Sequence, residues 1–120
     1  MAKYNIIQDK PFEFAIKIVN LYKYLCEEKR EFVMSKQILC CGTSIGANVE
    51  ESIGGHSPKD FIAKLGISYR EDRETIFWLK LLAATDYISK NQAEPLLNEA
   101  EKICKICAKI IITMKKKLNE

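Results

Sequence analysis

Apolar side chains recur along this chain at the three-and-four spacing of an amphipathic helix, and polar or Gly-containing breaks divide the recurrence into four segments. In the first, Pro11 can open a helix, and Phe14, Ala15, Ile18, Val19, Leu21, Tyr22, Leu25 and Cys26 follow on an arc about 160° wide. This predicts a helix from Pro11 to Glu28, released by the polar run "EEKREF". In the second, Ser35 is placed to cap a helix whose Ile38, Cys41, Gly42, Ile45, Gly46, Val49, Ser52 and Ile53 share a face about 140° wide. Gly54 and Gly55 stop it.

The third segment opens with Ser57 as N-cap, Pro58 at the first helical position and Asp60 in an acidic variant of the capping box. Phe61, Leu65, Ser68, Tyr69, Ile76, Leu79 and Ala83 then form one stripe as far as Ile88, a helix roughly 45 Å long. In the fourth, Asn91 is the expected N-cap, with Glu94 three residues on and Pro95 still in the first turn. Its seam is Leu96, Ala100, Ile103, Cys104, Cys107, Ile110, Ile111, Met114 and Leu118. Four such helices with short connections predict an all-α, up-down-up-down four-helix bundle, one domain over residues 1–120. No period-2 strand pattern, internal repeat or low-complexity linker competes with it.

Composition narrows the function classes. With 48% hydrophobic and 29% charged residues the chain reads as globular, and no apolar run reaches the roughly 18 residues of a membrane span. The N-terminal stretch lacks the uninterrupted apolar core of a signal peptide, so the expected compartment is the cytoplasm. Five Cys, an odd number in a chain large enough to fold without disulfides, are expected to be reduced thiols. The net charge of +3 is uneven: residues 101–120 hold six Lys and two Glu, a local +4, which leaves −1 for the rest.

Most candidate chemistries fail on residue type. The glycines of "CCGTSIGANVEESIGG" follow no strand and lack both the Gly-Lys-Ser/Thr ending of a phosphate loop and a spaced Gly triplet; Gly42 and Gly46, about one turn apart, mark close helix approach instead. Cys104-x-x-Cys107 lies on an apolar seam without two further ligands for zinc. The single His, His56, occupies a Gly-rich connection with no nucleophile motif, and no Glu-x-x-His pair exists for a di-metal site. The expectation is no cofactor and no metal, and a protein that is not an enzyme.

Three features remain. Asp72 projects onto the apolar stripe of helix 3, with Glu71, Glu74 and Thr75 next to it; a buried carboxylate must be paired or protonated. Asn48, Glu71, Asp72 and Glu74 are therefore expected to form an inter-helix polar network, with Lys64, Arg70 or Arg73 as available cations. Cys40, Thr43, Ser44 and Ala47 line the far side of helix 2, where a helix with one buried face would carry Lys and Glu; small residues there suggest a subunit interface. Lys102, Lys105, Lys109 and Lys116 share the solvent side of helix 4, flanked by Lys115 and Lys117, either as a solvated face or as a nucleic-acid footprint.

The segments "FEFAIKIVNLYKYL", "SKQIL", "GTSIGANVEES", "SPKDFIAKLGIS" and "RETIFWLKLL", in this order and spacing, resemble the bacterial four-helix-bundle family associated with intervening sequences in 23S ribosomal RNA genes, often labelled S23 ribosomal protein. The resemblance covers nearly the whole chain. It implies a left-handed bundle assembling as a homopentamer with a central channel. The family is also similar to the accessory variability protein of diversity-generating retroelements, a basic pentamer that engages nucleic acid and a reverse transcriptase. Cys40, Cys41 and Glu50 stand where the family often has Arg, Ser and a basic residue, which removes positive charge from helix 2, and Asp72 stands where a small apolar residue is common. Five copies would nevertheless carry a net charge of +15, and attraction for a polyanion grows with the phosphates neutralised together.

The function expected from these features is a non-enzymatic, oligomeric interaction protein that binds RNA or DNA without strong sequence preference through Lys105, Lys109, Lys115, Lys116 and Lys117. The alternative is a structural or protein-partner scaffold in which these lysines serve solubility.

Overall fold

Burial of the four apolar stripes against one another gives four helices in the computed structural model, which describes residues 2–119 and the side chains of residues 6–119. They are α1 (Ala2–Glu27), α2 (Met34–Ile53), α3 (Pro58–Ala84) and α4 (Lys90–Asn119). Each packs on its neighbours in sequence, and α4 returns to α1 through the loosest of the four seams. Successive helices run antiparallel: Pro11 and Ile18 of α1 meet Gly46 and Gly42 of α2, the Ser68 hydroxyl donates to the Ile45 carbonyl, and Lys17 reaches Glu99. The result is the expected up-down-up-down bundle, 51 Å long and about 22 Å across.

The core runs the length of the bundle. Phe14, Ile18 and Leu25 of α1, Ile38 and Ile45 of α2, Leu65, Leu79 and Leu82 of α3, and Ile103 of α4 are all essentially inaccessible to water. Each such side chain stabilises the fold by about 1.5–3 kcal/mol relative to leaving it exposed. The α1–α2 seam needs a small residue at one of its two glycines. A Cβ at Gly42 would lie 2.8 Å from Cγ2 of Ile18, so α1 and α2 can approach there only because Gly42 has none. At Gly46 the nearest atoms belong to Pro11 at 3.5 Å, an ordinary contact distance.

Several boundaries differ from the sequence expectation. Pro11 does not open α1; the helix begins at Ala2 and continues through the proline, carrying Ile7 into the core. Burial of Ile7 on the same face as Phe14 offsets the backbone bond that Pro11 cannot make. Ser35 is not the α2 cap: it is fully buried inside the helix, and the Glu31 carboxylate accepts from the N–H groups of Val33, Met34 and Ser35 at 3.2, 3.1 and 2.7 Å. Asn91 does not cap α4 either. Ser89 does, its hydroxyl accepting from the Gln92 N–H at 3.1 Å while the Gln92 side chain accepts from the Ser89 N–H at 2.7 Å. That arrangement is a capping box.

Helix α3 starts as expected, with the Ser57 hydroxyl accepting from the Asp60 N–H at 3.1 Å. It ends at Ala84 rather than Ile88, because Asp86 adopts a left-handed conformation (φ 68°) and the Tyr87 N–H turns back to the Leu82 carbonyl. Ile88 stays in the core beneath that turn.

Candidate nucleic-acid interface

Helix α4 is the longest element, 30 residues, and its composition separates cleanly around its axis. Ala93, Leu96, Ala100, Ile103, Cys104 and Cys107 are buried, while Lys102, Lys105, Lys109, Lys115, Lys116 and Lys117 are exposed. None of these six lysines pairs with a described acidic residue; the ion pairs formed are Lys17–Glu99 and Lys64–Glu51, both at 2.8 Å. Lys116 and Lys117 lie in the last turn, where they also complement the helix dipole. The structure thus presents the five sequence-nominated lysines as uncompensated charge on one exposed helix.

Lys102 and Lys109 follow the edge of α4 that faces α1. There Ile6, Ile106 and Ile110 floor an open groove of about 310 Å³, rimmed by Lys10 and Lys109. The groove continues past Lys10, Glu13, Lys102 and Ile103, and the Lys17–Glu99 ion pair bridges the two helices farther along. Sequence reasoning missed this feature, although Ile6 and Lys10 lie about one turn apart upstream of the helix start then expected.

On the outer face of α2, Cys40 and Ala47 are exposed and Thr43 and Ser44 half-buried. The hydroxyls of Thr43 and Ser44 donate to carbonyls of their own helix, at 2.7 Å to Leu39 and 2.6 Å to Cys40. Their hydrogen-bonding capacity is largely used internally, which leaves a slim surface with little need of water. By the 100° step of a helix, Phe12 and Ile16 of α1, exposed by 67% and 49%, lie on the side of α1 turned away from the core. Their i, i+4 spacing opposite the core arc was the available signal.

The interior departs from expectation at Asp72. No hydrogen bond links Asn48, Glu71, Asp72 and Glu74 into a network. Asn48 donates to the Ser44 carbonyl, Glu74 accepts from the Trp78 indole at 3.1 Å, and Glu71 is half-buried, its pKa raised by burial and then by the Glu74 carboxylate. Lys64 is engaged with Glu51. These residues are dispersed because Asn48 and Glu74 find partners on their own helices, while Asp72 alone turns inward.

Asp72 is wholly buried and neither carboxylate oxygen has a hydrogen-bond partner. Burial pushes its pKa up to about 7; the Cys104 thiol beside it draws it down, Glu101 of α4 pushes it up and Arg73 draws it down. The thiols nearby behave correspondingly. Burial, followed by the neighbouring Asp72, raises Cys104 and pushes Cys107 up to about 12, and burial pushes Cys41 up to about 11. Such thiols stay protonated and are poor nucleophiles. Among the described residues no group of three or more His, Cys, Asp or Glu is arranged to hold a metal ion, and no helix is long and apolar enough to cross a membrane.

Comparison with known proteins agrees with this architecture. Residues 3–109 match the family described as 23S rRNA-intervening sequence protein. A crystal structure of a protein of unknown function from the S23 ribosomal protein family of Bacteroides thetaiotaomicron is similar at 51% identity, with a TM-score of 0.89, over 91% of this chain and 97% of that one. No functionally curated protein matches the sequence.

Proposed function

Because this chain belongs to the 23S rRNA-intervening sequence protein family, we propose that it is a non-enzymatic, self-associating interaction protein that binds RNA or DNA through the lysine face of α4. The carrying observation is that Lys105, Lys109, Lys115, Lys116 and Lys117 are all exposed on one helix without a described acidic partner. Each is free to neutralise a phosphate, and the absence of aromatic side chains among them fits backbone contact rather than base readout. Asn48, Glu71, Asp72 and Glu74 serve the bundle interior and its rim.

Self-association supplies the charge density that one copy lacks. The face formed by Cys40, Thr43, Ser44 and Ala47, together with Phe12 and Ile16, is the proposed contact between copies, since its apolar and internally bonded surface gains by leaving water. A pentameric ring carrying +15 follows if five copies close.

A gel-shift of single-stranded RNA and duplex DNA across a salt series tests the reading. Binding is expected at low salt and should fall steeply as salt rises; Lys105→Glu with Lys116→Glu should weaken it by about tenfold or more. Unchanged binding in that double variant would remove α4 from the interface. Light scattering on Ala47→Arg should show smaller particles than the parent, with helicity retained.

A further inference from the structure

The α1–α4 seam has an apolar floor that the proposed nucleic-acid face does not use, flanked by Lys10 and by Lys109, the one lysine shared with that face. We propose that this groove docks an acidic amphipathic helix of a partner protein, the partner's apolar side chains covering Ile6, Ile106 and Ile110 while its carboxylates meet Lys10 and Lys109, the two charged residues that line the apolar floor.

Three observations select that occupant. The floor is apolar and wet, with Ile6 still 43% exposed, so a ligand gains by covering it. Lys10 and Lys109 flank the floor from the two helices, whereas Lys102, farther along, stands with Glu13 and Glu99. Ile106 and Ile110 are four residues apart, about one turn, with Lys109 between them, so a second helix with apolar residues at i and i+3 or i+4 and carboxylates beside them matches the floor and its flanks. Finally, the seam is the loosest of the four, which leaves its isoleucines open for a helix to lie along the groove.

Other occupants fit less well. A nucleic-acid strand would find no aromatic side chain among the described residues of the floor to stack a base, and its sugar-phosphate backbone would leave the isoleucines in water. The exposed apolar stripe of a second copy, Phe12, Ile16 and Val19, is bordered by Lys23, which would oppose Lys10 and Lys109.

The test uses the full chain and a fluorescein-labelled synthetic peptide of about 20 residues, with Leu at two of every seven positions on one face and Glu beside them. A control peptide has the same composition scrambled so that its Leu residues share no face. In fluorescence anisotropy the ordered peptide should bind saturably and about tenfold or more tighter than the scrambled one. Ile106→Asp should weaken binding by about tenfold, and Lys10→Glu by several-fold. Both variants should keep native circular dichroism and the parent's nucleic-acid gel-shift. Equal binding of the two peptides would reduce the effect to polyanion attraction and overturn the proposal, as would indifference to both substitutions. Displacement of the peptide by an RNA oligomer whose own binding is lost in Ile106→Asp would assign the groove to nucleic acid instead. Lys10 is exposed, so Lys10→Glu decides the matter even if Ile106→Asp destabilises the bundle.

Discussion

Two sides of the same bundle are built on opposite principles. Around the middle of α2 and α3 the helices pack tightly: Gly42 admits Ile18 of α1, the Ser68 hydroxyl reaches the Ile45 carbonyl of the neighbouring helix at 2.9 Å, and Asp72 is sealed from water. Between α1 and α4 the contact is looser, isoleucines remain accessible, and a surface ion pair bridges the gap. The difference separates a tightly packed interior from a side that keeps accessible apolar surface. The closed side tolerates little change where its side chains meet, as at Gly42 and Asp72, whereas the open side retains apolar surface that the fold itself does not use.

The largest expected effect comes from the closed side through Asp72. Burial pushes its carboxyl up to about 7 in the bundle, against the ordinary 3.8 of an aspartate in the unfolded chain. Below pH 4 both states hold the proton and no penalty applies. As pH rises from about 4 to about 7 the unfolded chain releases its proton first, so stability falls, and above about 7 the loss is complete. At about 1.4 kcal/mol per pKa unit the loss is at most about 4 kcal/mol. Thermal melts of the parent should therefore be higher at pH 5 than at pH 8, and Asp72→Asn should flatten that slope. A slope equally steep in the variant would assign it to other carboxylates.

Next in size is a contrast between two glycines of α2. Gly42→Leu should destabilise the bundle by about 3 kcal/mol or more, because even its Cβ collides with Ile18. Gly46→Ala should be neutral or stabilising by up to about 1 kcal/mol, since its Cβ meets Pro11 at ordinary contact distance and alanine favours the helix. Urea titrations of the two variants give the comparison directly; similar losses at both positions would mean that the two α1–α2 contacts are equally tight.

Smallest is the clamp on the open side. Lys17→Met should change stability by no more than about 0.5 kcal/mol, because the Lys17–Glu99 pair is largely exposed, with side-chain accessibilities of 53% and 29%. Guanidinium melts that showed a loss comparable to Gly42→Leu would contradict the description of this seam as loosely held.

What the sequence disclosed depended on how local the determining physics was. The Ser57 cap with Pro58 and Asp60 is a contiguous pattern, and it forms as read. The Ser89–Gln92 capping box was equally local, and the Ser-x-x-Gln spacing was the signal passed over in favour of Asn91. Glu31 capping α2 across three backbone N–H groups was harder to foresee, because nothing in the run "EEKREF" distinguishes the one glutamate that folds back. The lysines of α4 and the small outer residues of α2 were legible from periodicity, as was the inward direction of Asp72. The groove was not, since it belongs to two helices nearly 100 residues apart.

The sequence by itself determined four amphipathic helices, their order around the bundle, and which residues of each face inward, because apolar spacing and chain length act within single helices and between neighbours. The tertiary structure decided how close each pair approaches. That distance depends on pairs of side chains remote in sequence, Gly42 with Ile18, Asp72 with Cys104 and Ile6 with Ile110, and on whether the atoms between them leave room for water or a partner. Close packing sealed an unpartnered carboxyl in one seam, and looser packing left an apolar groove flanked by lysines in another.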